Sequence, residues 1–226
     1  MEKTIYHGSD HIIEKPKFGY GKPYNDYGIG FYCTQNPNMA KEWGVGIDHN
    51  GYANRYKIEC DGLTILDLNA PGYTMLHWLT ILLENREFDT SAPLAAEAKE
   101  YLMNTFHLDY KSADIIIGYR ADDSYFSFAS DFINGAISYR QLCNAMRLGK
   151  LGPAVRAENA KRPLNSWNFS AMRPQTLKNG IRKRPSVTRQ PAANIFDVER
   201  NRRQRGDLYI TTILDEEMKP NDPRLR

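Results

Sequence analysis

Strand patterns and helix patterns follow one another irregularly along this chain, and that irregularity restricts its possible folds more than any other feature. Strands are predicted at "EKTIYHGS", "IGFYCT", "NRYKIECDGLTILDL" with a turn at Asp61-Gly62, "ADIIIGYR" and "GPAVRAENA". Helices are predicted at "NPNMAKEWG", "GYTMLHWLTILLENREF", "PLAAEAKEYLMNTF" and "SYRQLCNAMRLG". Because these segments do not form regular β-α-β units, the sequence favours an α+β fold over a doubly wound parallel sheet.

The character of the sequence changes at about residue 172. The stretch "RPQTLKNGIRKRPSVTRQP" is basic and rich in proline, which is typical of a linker or an adaptable arm. The following stretch, "ANIFDVERNRRQRGDLYITTILDEE", regains helical character, and we expect it to pack on the body or on a partner. The predicted organisation is therefore a folded domain over residues 1–171 and a basic C-terminal extension over residues 172–226.

Charge is distributed unevenly between the two parts of the chain. Residues 1–150 hold 14 Lys and Arg against 19 Asp and Glu, a net charge of −5, whereas residues 151–226 hold 16 against 8, a net charge of +8. Residues 161–205 alone hold 12 basic side chains and two acidic ones. Two explanations stay open, namely a surface for RNA, DNA or an acidic partner, and a solvated basic tail.

Composition disfavours several classes of protein. The chain has no apolar run of about 18 residues and no pattern of a secretory signal at its start, so no contact with a membrane is expected. Its three cysteines lack metal spacing, which favours reduced thiols, a cytoplasmic location and no metal site. Neither a GxGxxG turn between a strand and a helix nor a phosphate-binding loop occurs.

Five blocks in a fixed order carry the strongest functional signal. They read "YHGS", "DYGIGFYCT", "MAKEWG", "DIIIGYRADD" and "NGAISYRQLCNAMRLGKLG". Over roughly residues 4–170 this order resembles the ADP-ribosyltransferase superfamily, on the branch whose signature is His, Tyr and then Glu, Asp or Gln. More narrowly, it is similar to a toxin-like bacterial family of unknown function within that superfamily. Each block alone is a weak motif, and the resemblance depends on their combination.

The resemblance implies a split β-sandwich with flanking helices and a cleft for NAD as co-substrate. In it His7 would bind a ribose hydroxyl, Gly8 would present its backbone to the nicotinamide amide, and Tyr32 would stack on the nicotinamide ring. A glycine admits close approach of a ligand, and an aromatic face attracts a flat cation. The residues implied around NAD are Tyr6, His7, Gly8, Ser9, Gly30, Phe31, Tyr32 and Thr34.

Tyrosines are frequent near the predicted cleft. Tyr6, Tyr20, Tyr24 and Tyr27 are candidates for a wall or lid over NAD or the target, and most of the 14 tyrosines in the chain must be structural. Tyr27 and Phe31 are expected in the core or at the edge of the pocket.

The third residue of the signature is where this sequence departs from the resemblance. Relatives would carry Gln two residues after the last Gly of "GKLG", and Ala154 stands there. Alanine neither accepts a hydrogen bond nor orients a nucleophile, and loss of one such group costs about a hundred- to thousandfold in rate. Three explanations stay open: an inactivated variant, a natural pseudoenzyme, or a different register in which Glu158, or Asp122 and Asp123, supplies the carboxylate.

The resemblance implies transfer of ADP-ribose from NAD to a macromolecule, in a toxin–antitoxin or phage-defence role. The basic residues 161–205 favour nucleic acid slightly over protein as the target, and a protein target stays open. A cognate antitoxin protein is a further implied partner. Two other functions stay open: a non-catalytic module that binds NAD or nucleic acid, and an NAD glycohydrolase.

Overall fold

The structure is a computed structural model that describes residues 2–17, 19–20, 23–46, 51–121, 123–148, 154–157, 169–176 and 197–226. The chain divides into two compact units, and each is built from three separate stretches. The first, here called the β unit, comprises Met1–Asp67, Asp109–Gly118 and Leu151–Arg184. The second, here called the helical unit, comprises Leu68–Leu108, Tyr119–Lys150 and Pro185–Arg226.

The β unit contains two small sheets. Its strands are β1 (Glu2–Ser9), β2 (Phe31–Cys33), β3 (Tyr52–Glu59), β4 (Ile65–Asp67), β5 (Ile115–Gly118), β6 (Ala154–Ala157) and β7 (Phe169–Thr176). One sheet has the order β1-β3-β7 and is antiparallel throughout. The other has the order β2-β6-β5-β4, in which only the β4–β5 pair is parallel. The chain is therefore α+β, as the sequence predicts.

Alternating side chains of the two sheets form one buried core. Ile5, Tyr56 and Ile58 of the first sheet cluster with side chains of the second sheet. Those side chains are Phe31, Cys33, Ile115 and Ile117. Because side chains of a strand alternate between its faces, His7 shares the core-facing side of β1 with Ile5, and Tyr32 faces away from this core.

Helix α1 (Pro37–Gly44) covers the opposite face of β1. The Asn36 side chain caps it by accepting hydrogen bonds from the backbone N–H groups of Asn38 and Met39, and Pro37 occupies the first turn. A side chain at Gly8 would overlap the carbonyl oxygen of Ala40 and lie 2.7 Å from the amide nitrogen of Gly44. The glycine thus lets β1 and α1 pack in direct contact.

The helical unit contains the remaining helices. Five of them are α2 (Met75–Asn85), α3 (Pro93–Phe106), α4 (Asp123–Ile133), α5 (Tyr139–Leu148) and α6 (Ile210–Asp215), and residues 197–200 are helical as well. Helix α2 is almost entirely buried, and the indole N–H of Trp78 donates to the carbonyl oxygen of Tyr119 over 3.1 Å. No helix in the described part of the chain is long and apolar enough to span a membrane.

The last thirty residues are part of the helical unit rather than a free arm. Arg140 of α5 makes a two-pronged ion pair with Asp207, with nitrogen–oxygen distances of 2.7 and 2.9 Å. The Gln141 side chain donates to the backbone carbonyls of Glu199 and Arg200 over 2.7 and 2.8 Å. The helical segment therefore packs on the body, one of the two outcomes expected for it.

The structure differs from the sequence-based expectations at the predicted domain boundary and at the strands around Asp61-Gly62. The boundary predicted between residues 171 and 172 falls inside β7, which pairs with β3 from Tyr52 to Ile58. The strands on either side of the Asp61-Gly62 turn belong to different sheets, because β4 pairs with β5 and not with β3. The basic residues between 177 and 196 lie outside the described part of the chain.

Candidate functional site

His7 lies in β1 and is held against β2. Its Nδ1 lies 2.7 Å from the backbone carbonyl oxygen of Tyr32, and its ring stacks on Phe31 with 4.4 Å between ring centres. A carbonyl can only accept, so Nδ1 carries a proton and donates to it. In the neutral ring the Nε2 atom is consequently the acceptor.

Burial lowers the pKa of His7, and the bond to the Tyr32 carbonyl opposes that effect only in part. The neutral form is therefore favoured at neutral pH. Its Nε2 makes no hydrogen bond to any residue that the structure describes. The histidine is thus a neutral ring of fixed orientation that can accept a hydrogen bond from a ligand hydroxyl.

Tyr32 is the next residue of the predicted site, in the middle of β2. Its hydroxyl donates to the carbonyl oxygen of Gly28 over 2.6 Å and accepts from the backbone N–H of Tyr27 over 3.1 Å. Gly28 has φ of +75°, so the turn that meets this hydroxyl requires a residue that tolerates the left-handed region. These bonds fix the Tyr32 ring, and Tyr27 itself is fully buried.

The other residues predicted from the first block divide between the two faces of β1. Gly8 lies on the face that packs on α1, and its lack of a side chain is accounted for by that helix. The position of Tyr6 shares this face by strand alternation, and its backbone makes a two-bond bridge with Thr34. His7 and Ser9 occupy the opposite face.

The residues predicted from the second block surround β2. Phe31 is buried and touches both His7 and the edge of Tyr56, at 5.7 Å between ring centres. Thr34 is buried, and its Oγ1 accepts from the backbone N–H of Asn36 over 3.1 Å. Gly30 is buried immediately before the strand. Phe31 is thus a core residue, one of the two places expected for it.

Asn54 is a residue of this region that the sequence reasoning missed. It lies opposite His7 on β3, and its side chain donates to Ser9 Oγ over 2.7 Å and accepts from the backbone N–H of Ile13 over 2.9 Å. It thereby fixes the chain directly after His7. The sequence "YANRYKIE" contains a signal for this residue. Asn54 is a polar residue on the same face of the strand as the buried Tyr56 and Ile58.

Ala154 is the first residue of β6, the strand between β2 and β5. In the register, Arg156 pairs with Tyr32 and Ala154 pairs with Gly118. Since alternate positions share a face, position 154 lies on the same face of the sheet as Tyr32. The missing polar residue of the signature therefore falls on the strand next to the signature tyrosine.

No described contact places an alternative carboxylate, from Asp122, Asp123 or Glu158, beside the candidate site. Asp122 and Glu158 lie outside the described residues. Asp123 begins α4, in the helical unit. Within the described residues, no group of three or more His, Cys, Asp or Glu side chains could hold a metal ion.

Comparison with known proteins identifies the family. Residues 3–161 match the model of a family described as "Protein of unknown function (DUF3990)", and the chain belongs to this family. No curated protein and no solved structure matches the chain.

Proposed function

We propose that this DUF3990 protein is an NAD-dependent mono-ADP-ribosyltransferase that acts as a cytoplasmic toxin, with NAD as co-substrate, a macromolecule as target and a cognate antitoxin as partner. The family description gives no activity, so the proposal rests on the resemblance of the five blocks and on the geometry of the β unit. Two small sheets with a shared core are compatible with an ADP-ribosyltransferase-like split β-sandwich.

The observation that carries the proposal is the hydrogen bond between His7 Nδ1 and the Tyr32 carbonyl. Residues 25 positions apart, the first two of the signature, are held together by a bond that also sets the tautomer of the histidine. A neutral Nε2 acceptor suits a ribose hydroxyl, and a fixed aromatic ring suits the flat nicotinamide cation. Groups that are already fixed in the protein lower the entropy cost of orienting the substrate for reaction.

The proposed reaction breaks the bond between the ribose C1′ and the nicotinamide nitrogen. Nicotinamide leaves with the bonding electron pair, positive charge develops on the ribose, and a nucleophile of the target forms the new bond to C1′ and loses its proton. The electrostatic demand resembles that of glycoside hydrolysis, in which a polar or anionic group stabilises an oxocarbenium-like state. His7 and Tyr32 would position NAD, and the residue at position 154 would stabilise that state.

Alanine at position 154 leaves the last of these roles unfilled. We therefore expect the chain to hold NAD but to cleave it slowly, and Ala154→Gln to raise the rate by about a hundred- to thousandfold. The measurement is nicotinamide release and transfer of adenylate-labelled ADP-ribose, with RNA, DNA and cell lysate as acceptors. His7→Ala in the Ala154→Gln background should remove the gain, and His107→Ala, an exposed histidine of the helical unit, should keep it.

The outcomes separate the alternatives. An Ala154→Gln protein that neither releases nicotinamide nor labels any acceptor rules out the transferase. Release without a labelled polymer indicates an NAD glycohydrolase. Binding of NAD by both proteins without release indicates a non-catalytic module.

A further inference from the structure

The segment between β1 and β2, described at residues 10–17, 19–20 and 23–30, exposes an unusual set of side chains. Tyr20 is 83% exposed and Tyr24 is 68% exposed, and Ile12 and Ile29 are exposed as well. Among the residues that the structure describes, only one other large apolar side chain, Val198, is exposed. This segment, here called the β1–β2 loop, therefore holds nearly all the exposed apolar surface of this kind in the described chain.

The loop is anchored at both ends. At its start, Asn54 binds Ser9 and Ile13, and the Tyr56 hydroxyl donates to the Ile13 carbonyl over 2.5 Å. At its end, the Tyr32 hydroxyl binds Gly28 and the backbone of the buried Tyr27. The exposed tyrosines therefore belong to a segment whose two ends are hydrogen-bonded close to His7 and Tyr32 in the chain.

The exposed part of the loop carries two lysines beside its aromatic rings. Lys15 and Lys17 are exposed and make no ion pair with any described residue, and Lys17 Nζ lies 5.9 Å from the centre of the Tyr20 ring. The acidic side chains near them are Glu14, which is exposed, and Asp10, which is paired with His11. Aromatic faces interleaved with lysines fit a ligand that offers both planar rings and negative charges.

Three described arginines of the basic C-terminal region contact neighbouring groups, whereas Arg205 is exposed. Arg200 donates to Asp131 and Ser127 and stacks on Phe128, at 4.3 Å from the ring centre. Arg202 lies 3.5 Å from a Glu199 oxygen, and Arg203 donates to the Ala136 carbonyl. These three cations have partners in their own helical unit, whereas Lys15 and Lys17 have no ion-pair partner among the described residues.

We propose that the β1–β2 loop binds single-stranded nucleic acid, with bases stacked on Tyr20 and Tyr24 and phosphates beside Lys15 and Lys17. Exposed rings with neighbouring cations are the usual means of holding a single strand without sequence preference. A duplex hides the faces of its bases and is not expected to bind in this way. The inference rests on the proposed function where it names the target, but binding itself requires no NAD.

The test measures binding of the full chain to labelled single-stranded RNA and DNA of about 12 nucleotides, without NAD. Tyr20→Ala and Tyr24→Ala should each weaken binding about tenfold, and Tyr20→Phe should keep it because the ring remains. Lys15→Ala and Lys17→Ala should reduce the dependence of binding on salt. Matched controls are Val198→Ala, and Lys219→Ala, which removes a lysine placed 5.7 Å from Tyr101 in the helical unit; both should bind as the unaltered chain.

Three outcomes would overturn the inference: no binding by the unaltered chain, equal binding by the tyrosine variants, or equal loss in the Val198 control. A tyrosine variant that weakens binding of NAD but leaves oligonucleotide binding intact would assign the loop to the dinucleotide instead. Failure of this test leaves nicotinamide release by Ala154→Gln unaffected. Conversely, an inactive Ala154→Gln protein that still binds oligonucleotides through Tyr20 and Tyr24 would reject the transferase and retain the loop site.

Discussion

At the scale of single residues, Gly8 is the position where packing and ligand binding make different predictions. We expect Gly8→Ala to lower the free energy of unfolding by about 1–3 kcal/mol or more, because its Cβ would overlap the Ala40 carbonyl on α1. Urea unfolding measures this change. Gly72→Ala is the matched control, since a Cβ there meets nothing within 4 Å, and it should be neutral or stabilising by up to about 1 kcal/mol.

The Gly8→Ala variant also tests the role that the sequence suggests for Gly8, namely close approach of a ligand to its backbone. A Gly8→Ala protein of unaltered stability would contradict the packing explanation and leave close approach of a ligand as the reason for the glycine. His7 and Gly8 are adjacent in the sequence, yet they lie on opposite faces of β1. A motif read as one site can thus combine a candidate ligand residue with a residue that serves helix packing.

At the scale of secondary structure, the start of α2 depends on a neutral histidine. The Thr74 backbone N–H donates to His77 Nδ1 over 2.9 Å, in a capping box between Thr74 and His77. Burial lowers the pKa of His77, and protonation of Nδ1 would remove the lone pair that accepts this bond. The His77 ring contacts the rings of Tyr73 and Phe106, at 5.6 Å between ring centres in both pairs.

This cap predicts a dependence of stability on pH. Because the pKa of His77 is lower in the folded chain than its ordinary value of 6.5, the unfolded chain takes up the proton first as pH falls. The free energy of unfolding should therefore be highest above that value and should decrease from about pH 6.5 downward. His77→Gln, whose amide oxygen can still accept the Thr74 bond, should reduce the slope in urea unfolding between about pH 8 and pH 5.

His7 contributes a slope of the same sign, since burial also lowers its pKa. Part of the pH dependence should therefore remain in His77→Gln. His11→Gln, at an exposed position, controls for the loss of any histidine. An unaltered slope in His77→Gln would show that the cap does not hold the histidine neutral.

The elements that the sequence predicted best are those whose signals are local. Asn36 and Pro37 mark the start of α1, and α3 follows the predicted stretch from Pro93 to Phe106. The partner of a strand, by contrast, depends on residues far away in the chain. Strand β4 follows β3 in sequence but pairs with β5 in the other sheet. Strand β7 pairs with β3, although part of its sequence is typical of a linker. The pairing of β6 with β2, which aligns position 154 with the face of Tyr32, likewise has no local signal.

The same difference between local signals and distant contacts applies to the candidate site. His7 and Tyr32 were predicted from motif order, whereas the bond between them joins residues 25 apart and required the structure. Asn54 had a weak signal as a polar residue in an apolar strand pattern, and its partners Ser9 and Ile13 lie more than 40 residues earlier. Candidate residues could thus be named from the sequence, and the contacts between them could not.

At the scale of the whole chain, the question is whether the C-terminal residues are an appendage or a structural part of the helical unit. The Tyr139 hydroxyl donates to the Leu225 carbonyl over 2.8 Å and accepts from the backbone N–H of Met75 over 3.2 Å. Leu225, the second-last residue, is buried, and the Tyr101 hydroxyl donates to the carbonyl of the buried Met218. The end of the chain therefore completes the interior of the helical unit.

We expect Leu225→Ala to lower the free energy of unfolding by about 2–5 kcal/mol, the range for truncation of a buried leucine. Such a loss so near the terminus arises only if the end of the chain is folded into the helical unit. Val198→Ala, at an exposed position of the same C-terminal segment, should change the free energy of unfolding by less than about 0.5 kcal/mol. If Leu225→Ala unfolds at the same urea concentration as the unaltered chain, the terminal residues form an arm, and the basic region before them lacks a fixed attachment at its far end.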